Sequence, residues 1–554
     1  MKNNRGFLMK DTAVLKWIYE KSKKNNIRIV LLTLMNVGSA ICATMFALLS
    51  KTVMDCAQKG NRDELLKSVI YLMSVILLQI LLRIVSSFLE AVTQGKAEID
   101  LRSAVFSDVL HGEYAKVTGN HSGDLMTRLT ADVQIVSTNY IHLLPSTISH
   151  IVRLVSVAVA LYVLDKNFSI IIVSCGITIP IVAMIFRKYM KILHRRVQEK
   201  NAKVRSFMQE MIENLFAVKV FAIEEKVKNI SLKQQQSFYK ETVKKKSLSI
   251  LAGISFSLAF AIGFLFAVAY GSYGVLNGTM TFGTVIAIIQ LVNQLRTPAV
   301  GVTRVFPMLF GMISSAQRLI EITNYEKEKL ADTEIDYEDF VRISVKNASF
   351  GYNDETVLES ADFTVEKGEF VGIKGPSGAG KSTVFKLITG LYSLNSGSAV
   401  VETSKGDVEC KDARRLFSFV PQDNMLFSGT VRENITMLNP DATEAEIETA
   451  LKNAAAEFAF ELENGLDFVL GESGMGVSQG QAQRLAIARA LLGKGKILLM
   501  DEATSALDSD TERRIMENLR NAGDVTVLFI THREMVVEQC DRTITVQNKH
   551  ISEN

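Results

Sequence analysis

Cysteine is scarce in this chain, with five in 554 residues: Cys42, Cys56, Cys175, Cys410 and Cys540. None pairs with another at metal-ligand spacing and no disulfide framework can be drawn, so the five read as small apolar residues. Charge of one sign is missing too. The 62 Lys and Arg against 59 Asp and Glu leave a net charge of +3, which gives no bulk attraction to polyanions, and no nucleic-acid partner is expected. A cleavable leader is also lacking. The opening stretch "MKNNRGFLMKDTAVLKWIYEKSKKNNIR" is polar and basic, with no apolar core ahead of a small-residue cleavage site. It reads as a cytoplasmic lead-in with an interfacial helix around Asp11 to Glu20.

Apolar residues are what the chain has in excess. They make up 48% of it, yet charged residues still reach 22%, and the mean hydropathy is +0.18. That mixture implies one membrane-embedded part and one soluble part, within the two to four domains that a prior of about 150 residues each allows. Residues 31 to 50, "LLTLMNVGSAICATMFALLS", carry no charge. A helix rising about 1.5 Å per residue crosses a hydrocarbon core of roughly 30 Å over that length. Further apolar runs extend from Leu65 to Val92 with Arg83, from Ser146 to Leu164 with His150 and Arg153, and from Phe168 to Phe186. From Ser247 to Leu295 there is no charged residue at all. This stretch is too long for one crossing, and "YGSYGVLNGTMTFG" at 270 to 283 supplies glycines for a turn between two spans. The last span then runs from about Thr281 to Leu309, making six.

Basic residues set the orientation. Lys16, Lys21, Lys23, Lys24 and Arg28 precede the first span, Arg187 to Arg196 follow the fourth, and Lys244 to Lys246 precede the fifth. All belong inside, so six spans place both termini in the cytoplasm. The inner connections, about 91 to 145 and 187 to 246, read as helical extensions into the cytosol, whereas the outer ones are short. Residues 311 to 340 turn acidic, as in "EKEKLADTEIDYEDF", and read as a linker between a membrane domain at 1 to 310 and a soluble domain at 341 to 554.

In the soluble part "GPSGAGKST" at 375 to 383 follows the strand-like "FVGIK" and precedes the helix-like "TVFKLITG". That is the context a phosphate-binding loop requires. The glycines of the loop, which runs Gly375, Pro376, Ser377, Gly378, Ala379, Gly380 and on to Thr383, would let its backbone N–H groups wrap the phosphates, and the helix start adds its positive end. Lys381 would reach the β- and γ-phosphates, and Ser382 would ligate Mg²⁺. "KILLMDEA" at 496 to 503 is an apolar strand ending in two acids. Asp501 would hold Mg²⁺ and Glu502 would polarise the attacking water, since phosphoryl transfer needs positioning and charge neutralisation.

With "VSQGQ" at 477 to 481 and "SALD" at 505 to 508, these motifs make the chain resemble a half of an ATP-binding cassette (ABC) transporter of the exporter type. The resemblance covers nearly the whole length. It implies an α-helical six-span membrane domain fused to an α/β P-loop NTPase domain, and ATP and Mg²⁺ as cofactors. It also implies a dimer, with a second copy or a homologous half, in which each ATP lies between the phosphate loop of one subunit and the signature of the other. Ser478, Gly480 and Gln481 would then cap the γ-phosphate of the partner's ATP. Tyr352 in "FGY" matches the adenine-stacking aromatic, Gln422 in "VPQD" the glutamine that senses Mg²⁺ and γ-phosphate, and His532 in "ITHR" the switch histidine. Glu472 matches a cross-linking loop and Asp508 a dimer-contacting one. Coupling helices are expected near 113 to 120 and 214 to 224.

Two positions depart from the family. The usual phrase is Leu-Ser-Gly-Gly-Gln, and here Val477 and Gln479 replace the first leucine and the first glycine. Either Gln479 is harmless at a helix start, or it weakens one site of an asymmetric heterodimer whose other half lacks a catalytic glutamate. The activity implied is ATP-driven export from a bacterial cell membrane by alternating access. The alternative is a regulatory or sensing ABC protein that couples ATP state to a partner without moving cargo. Arg83 stands about 27 Å along its helix and Arg296 about 22 Å along the sixth span. With Arg304, Arg153 and His150 they point to small-molecule, lipid or peptide cargo of anionic or amphipathic type.

Overall fold

The computed structural model describes residues 11–120, 122–328, 335–352, 355–422, 425–523 and 525–553. They form two units, one of Met1–Leu110 with His121–Asn324, the other of His111–Asn120 with Tyr325–Asn554.

The first unit is helical. α1 (Asp11–Ser22) leads through a short 3-10 turn into α2 (Asn26–Lys59), and α3 (Arg62–Leu110) follows. The next helix, α4 (Tyr114–Thr118), belongs to the second unit. The chain then returns through α5 (Ser122–Thr127) and a π turn at Arg128–Asp132 to α6 (Val133–Leu164), α7 (Lys166–Glu213), α8 (Leu215–Val220), α9 (Glu224–Leu276), α10 (Phe282–Gln294) and α11 (Arg296–Thr323). Helices of 49, 48 and 53 residues at α3, α7 and α9 are each over twice as long as a bilayer core requires at about 1.5 Å per residue. They therefore form the spans together with their extensions. Among the described residues five helical stretches are long and apolar enough to cross a membrane. The fourth expected span falls in α7, where the side chains of 173–188 lie outside the described residues. The most apolar windows of α3 and α9 are only 6% buried, as expected of faces meant for hydrocarbon or another subunit.

Two details differ from the sequence reading. Only Gly278, at φ +71°, makes the turn between α9 and α10. Gly271 and Gly274 lie inside α9 instead, where a β-carbon would stand 2.8 Å from Val285 Cγ1 and 2.9 Å from Met280 Cγ. They are small because α10 and the turn before it pack onto them. The sixth span is also two helices, broken at Leu295. Pro298 has no N–H to offer the Gln294 carbonyl, so the α-helical ladder cannot run through this point. α11 then continues past 311, the expected start of the linker, to Thr323. Its C-terminal part is pinned to the root of α6, where the Arg318 guanidinium grips the buried Asp132 carboxylate on both oxygens.

Among the described residues the second unit holds two larger sheets and one two-stranded pair. β1 (Phe340–Tyr352), β2 (Glu355–Glu366), β4 (Ser396–Thr403) and β5 (Gly406–Glu409) form an antiparallel sheet in the order β2-β1-β4-β5, with β3 (Phe370–Lys374) elsewhere. The second sheet also uses β6 (Phe417–Val420), β9 (Ile497–Asp501), β10 (Thr526–Ile530), β11 (Arg542–Gln547) and β12 (His550–Glu553), in the order β12-β11-β3-β10-β9-β6. β7 (Gly429–Thr430) pairs with β8 (Val469–Leu470). Five strands of the second sheet are parallel and β12 is the antiparallel edge. β9 and β10 are buried at every residue, as parallel strands covered on both faces must be. The helices are α12 (Lys381–Ile388), α13 (Val431–Thr436), α14 (Glu444–Asn453), α15 (Gln479–Leu492), α16 (Ser509–Asn521) and α17 (Glu534–Glu538).

Candidate functional site

The register of the parallel sheet gathers the chemistry at one edge. Ile530 pairs with both Ile373 and Asp501, and Met500 with Val420. Four strands therefore end side by side, and their carboxyl ends are where open parallel sheets bind ligands. The residues that follow these strands are Gly375–Gly380, Glu502, Gln422 and Thr531–Arg533.

The loop after β3 needs its glycines for different reasons. Gly375, Gly378 and Gly380 adopt φ of +149°, +78° and +101°, which side chains resist. A β-carbon on Gly375 would also lie 2.2 Å from the Val546 carbonyl oxygen, and one on Gly380 2.7 Å from Val357 Cγ1. The loop delivers the chain to α12, whose free amides give an anion a ready seat. Lys381 is buried, and its ammonium donates to the carbonyls of Gly375 at 2.9 Å and Pro376 at 3.0 Å. It is held inside the loop, where it would meet phosphate.

Asp501 is buried at the end of β9, hydrogen-bonded by the Ser382 hydroxyl. Burial pushes its carboxyl up from the usual range and Glu502 adds to this, while the Ser382 bond and Lys381 oppose it. A buried acid beside a second acid is a place where a cation would relieve cost. Among the described residues no cluster of three His, Cys, Asp or Glu side chains occurs, so a cation here would complete its shell with nucleotide oxygens and water, as Mg²⁺ does.

Glu502 is the strained residue of the site, at φ +48°, with its amide bonded to the Ile530 carbonyl at 2.9 Å. A non-glycine residue in this region costs of order 1–3 kcal/mol. The strain aims the side chain between two others. Gln422 Nε2 donates to Glu502 Oε2 at 2.8 Å, and His532 Nε2 stands 3.8 Å from Glu502 Oε1. Three residues far apart in sequence thus form one cluster. Tyr352 lies in an edge-to-face group with Phe350 at 4.9 Å and Tyr392 at 5.4 Å, on the side of the antiparallel sheet.

Ser478, Gly480 and Gln481 stand apart from that cluster, at the start of α15. The Ser478 hydroxyl accepts from the Gln481 amide at 3.3 Å, and the Gln481 side chain accepts from the Ser478 amide at 2.9 Å. This reciprocal capping box fixes the helix start. Gly480 is small because its β-carbon would lie 3.0 Å from the Ala506 carbonyl. Gln479 is the first helical residue, exposed and outside the left-handed region, so its side chain projects into solvent without strain. Gln479→Gly should accordingly change ATPase kcat by no more than about threefold, because Ser478 and the helix amides remain. A tenfold gain in purified protein would show instead that Gln479 holds the site back.

Sequence reasoning missed two residues that support the site. Gln483 is fully buried, donating to Ser505 Oγ at 3.1 Å and accepting from the Ala506 amide at 3.0 Å. Arg533, next to His532, donates to the carbonyls of Leu507 at 2.9 Å and Ser505 at 2.8 Å, and to Glu512 at 2.9 Å. Together they clamp the loop that ends in Asp508, which itself caps α16 through Thr511. Nothing local marks them in the sequence, since Gln483 is one of three glutamines in α15.

Comparison with known proteins agrees with this geometry. Residues 29–299 match the ABC transporter transmembrane region and 358–505 match the ABC transporter ATP-binding model. An ATP-dependent lipid A-core flippase of Desulfotalea psychrophila is 30% identical over 535 residues, covering 92% of each chain. A leukotoxin export ATP-binding protein of Aggregatibacter actinomycetemcomitans is 29% identical over 489 residues, 86% of this chain and 68% of that one. A bacterial Atm1-family ABC exporter solved with ATP bound shares the fold, with a TM-score of 0.79 at 23% identity over 96% of this chain and 95% of that one. A helical unit with helices long and apolar enough to cross a membrane is fused here to an α/β unit, and the chain belongs to the ABC transporter family as an ATP-binding ATPase.

Proposed function

We propose that the chain is one half of an ATP-driven exporter that works as a dimer with two interfacial ATP sites, in the cell membrane of a bacterium. The observation that carries this is Glu502, aimed by its backbone between Gln422 and His532 at the strand ends beside the Lys381 loop. Tyr352 would stack on adenine. The amides of the loop and α12 would hold the phosphates with Lys381, and Glu502 would take the proton of the attacking water while His532 steadies the γ-phosphate. Ser478 and α15 offer a capped helix start to the partner's nucleotide, and so supply what each chain's own site lacks. Ser382, Asp501 and Gln422 would hold Mg²⁺, which neutralises phosphate charge when bound. ATP then favours the closed pair of cassettes, and the membrane unit follows by its differential stability in the two states.

The cargo reading is anionic or amphipathic. In the membrane unit His150 packs so closely on α11 that a β-carbon on Gly301 would touch it, at 2.1 Å from Nε2. Arg153 and Arg304 lie within electrostatic reach of His150. Arg153 is half-buried, with its Nε shielded from solvent and without a hydrogen-bond partner among the described residues, and a cation with an unmet donor in a span favours an anionic guest. Arg296 is exposed and reaches Ser257 at 3.4 Å. Reversing Arg296 to Glu should lower vesicle uptake of an anionic amphipath at least fivefold and spare an uncharged one. Equal uptake of both before and after would remove the charge reading. Net ATP-dependent flux in proteoliposomes tests export itself; ATP hydrolysis that responds to a partner without any flux would favour the sensing alternative.

A further inference from the structure

We propose that Arg414 and Glu328 connect the phosphate-binding helix to the loop at His111–Asn120, between α3 and α5, and act as a positioning pair that makes that loop respond to nucleotide. The proposal rests on the reading of Gly375–Thr383 as the nucleotide site. The connection begins at the far end of α12. The Arg414 guanidinium donates from Nε to the Thr389 carbonyl at 3.0 Å and from Nη2 to the Gly390 carbonyl at 3.1 Å. These are the acceptors a helix leaves unfilled at its C-terminus. The third arm, Nη1, donates to Glu328 Oε2 at 2.7 Å. The other oxygen of the same carboxylate, Oε1, accepts the backbone amide of Tyr114 at 3.3 Å, at the first residue of α4.

Around Glu328 the chain segment after α11 is laced to that loop as a short antiparallel ribbon. Glu328 N donates to the His111 carbonyl and Glu113 N to the Glu326 carbonyl, each at 2.9 Å, about a bridge between Gly112 and Lys327. Lys116 bonds Glu326 at 3.1 Å, and Asn120 bonds the Tyr325 hydroxyl at 2.8 Å. A second route runs through rings. Tyr392 meets Tyr352 edge-on at 5.4 Å and Tyr114 edge-on at 5.6 Å, and Lys386 of α12 stands 5.8 Å from its centroid. The ring assigned to adenine and the helix assigned to phosphate thus both bear on Tyr114. α12 has only eight residues and moves as one rigid piece. A shift at its phosphate end therefore reaches Arg414, and Glu328 passes it to a loop that continues covalently into α3 and α5.

The test uses the full-length chain in lipid nanodiscs, in a Glu502→Gln background that holds ATP. Amide exchange of residues 111–120 is read with and without ATP and Mg²⁺, and ATP affinity is read by displacement of a fluorescent ATP analogue. In the parent, ATP should slow exchange across the loop at least fivefold. Glu328→Gln and Arg414→Gln should reduce that response to less than twofold while moving ATP affinity less than threefold, and Glu328→Asp should restore at least half of it. Retention of the response in both variants overturns the proposal. So does a tenfold loss of ATP affinity in both, which would make the pair a mere prop for α12. A parent that binds ATP without any response in the loop overturns it too and leaves the nucleotide site standing. A parent that binds no ATP removes the nucleotide reading and the proposal together.

Discussion

Glu502→Gln should lower ATPase kcat by about 10²–10⁴-fold, the range a positioned general base contributes, while ATP affinity stays within a few-fold. The substitution keeps the shape of the side chain. The oxygen that accepts from Gln422 at 2.8 Å survives as an amide oxygen, so the cluster should not collapse. Only the ability to take a proton goes, together with the carboxylate that faces His532 at 3.8 Å. Single-turnover hydrolysis measured beside equilibrium ATP binding separates the two effects. A kcat loss below tenfold would mean that water is activated elsewhere and that Glu502 is a scaffold for Gln422. His532→Ala should reduce kcat as well but leave Glu502 bonded to Gln422, so the double variant should be little worse than Glu502→Gln alone, as expected of residues that act as a unit.

Gly375→Ala should weaken ATP binding at least 100-fold and lower the stability of the cassette in the absence of nucleotide. Two physical costs combine. The φ of +149° is one a β-carbon resists, and the new methyl would stand 2.2 Å from the Val546 carbonyl oxygen. That oxygen cannot retreat cheaply. Val546 belongs to β11, which is paired to β3 beside this very loop, Thr545 against Lys374. The loop must move instead, and with it the carbonyls that hold Lys381. Strain of about 1–3 kcal/mol should appear as a drop of roughly 2–10 °C in the cassette's unfolding midpoint. Gly378→Ala provides the contrast. Its φ is also positive, at +78°, but a β-carbon there meets nothing within 4 Å, so it should cost only the left-handed penalty of about 1–2 kcal/mol. Equal midpoints for the two variants would show that crowding at Val546 is not the cause.

The parts of this protein that could be read from its sequence are those whose cause is local. "GPSGAGKST" needs glycines at fixed offsets because Gly375, Gly378 and Gly380 all adopt positive φ. "ILLMD" reads as a buried strand because every one of its residues is inside. The spans announced themselves through runs without charge. Ser478 and Gln481, three apart, spell a helix start whatever surrounds them. The residues that escaped notice act across distance. Gln483 reaches a loop 22 residues on, Arg533 reaches back 28 residues to Ser505, and Arg414 reaches 86 residues to Glu328. No spacing rule marks such pairs, because the sheet and helix packing that brings them together is set by the whole unit. The glycines at 271 and 274 misled for a related reason. Glycine marks a turn or a close approach equally well, and only the neighbouring helix decides which.

The interruption between α10 and α11 says something about where water must be. Pro298 leaves the Gln294 carbonyl without its helical donor, and hydrocarbon has none to lend, so an acceptor of this kind exposed to lipid tails would cost several kcal/mol. That side of the broken helix therefore turns inward, toward a lumen or a hydrated seam, and a thiol placed at Thr297 should be labelled readily by a membrane-impermeant maleimide.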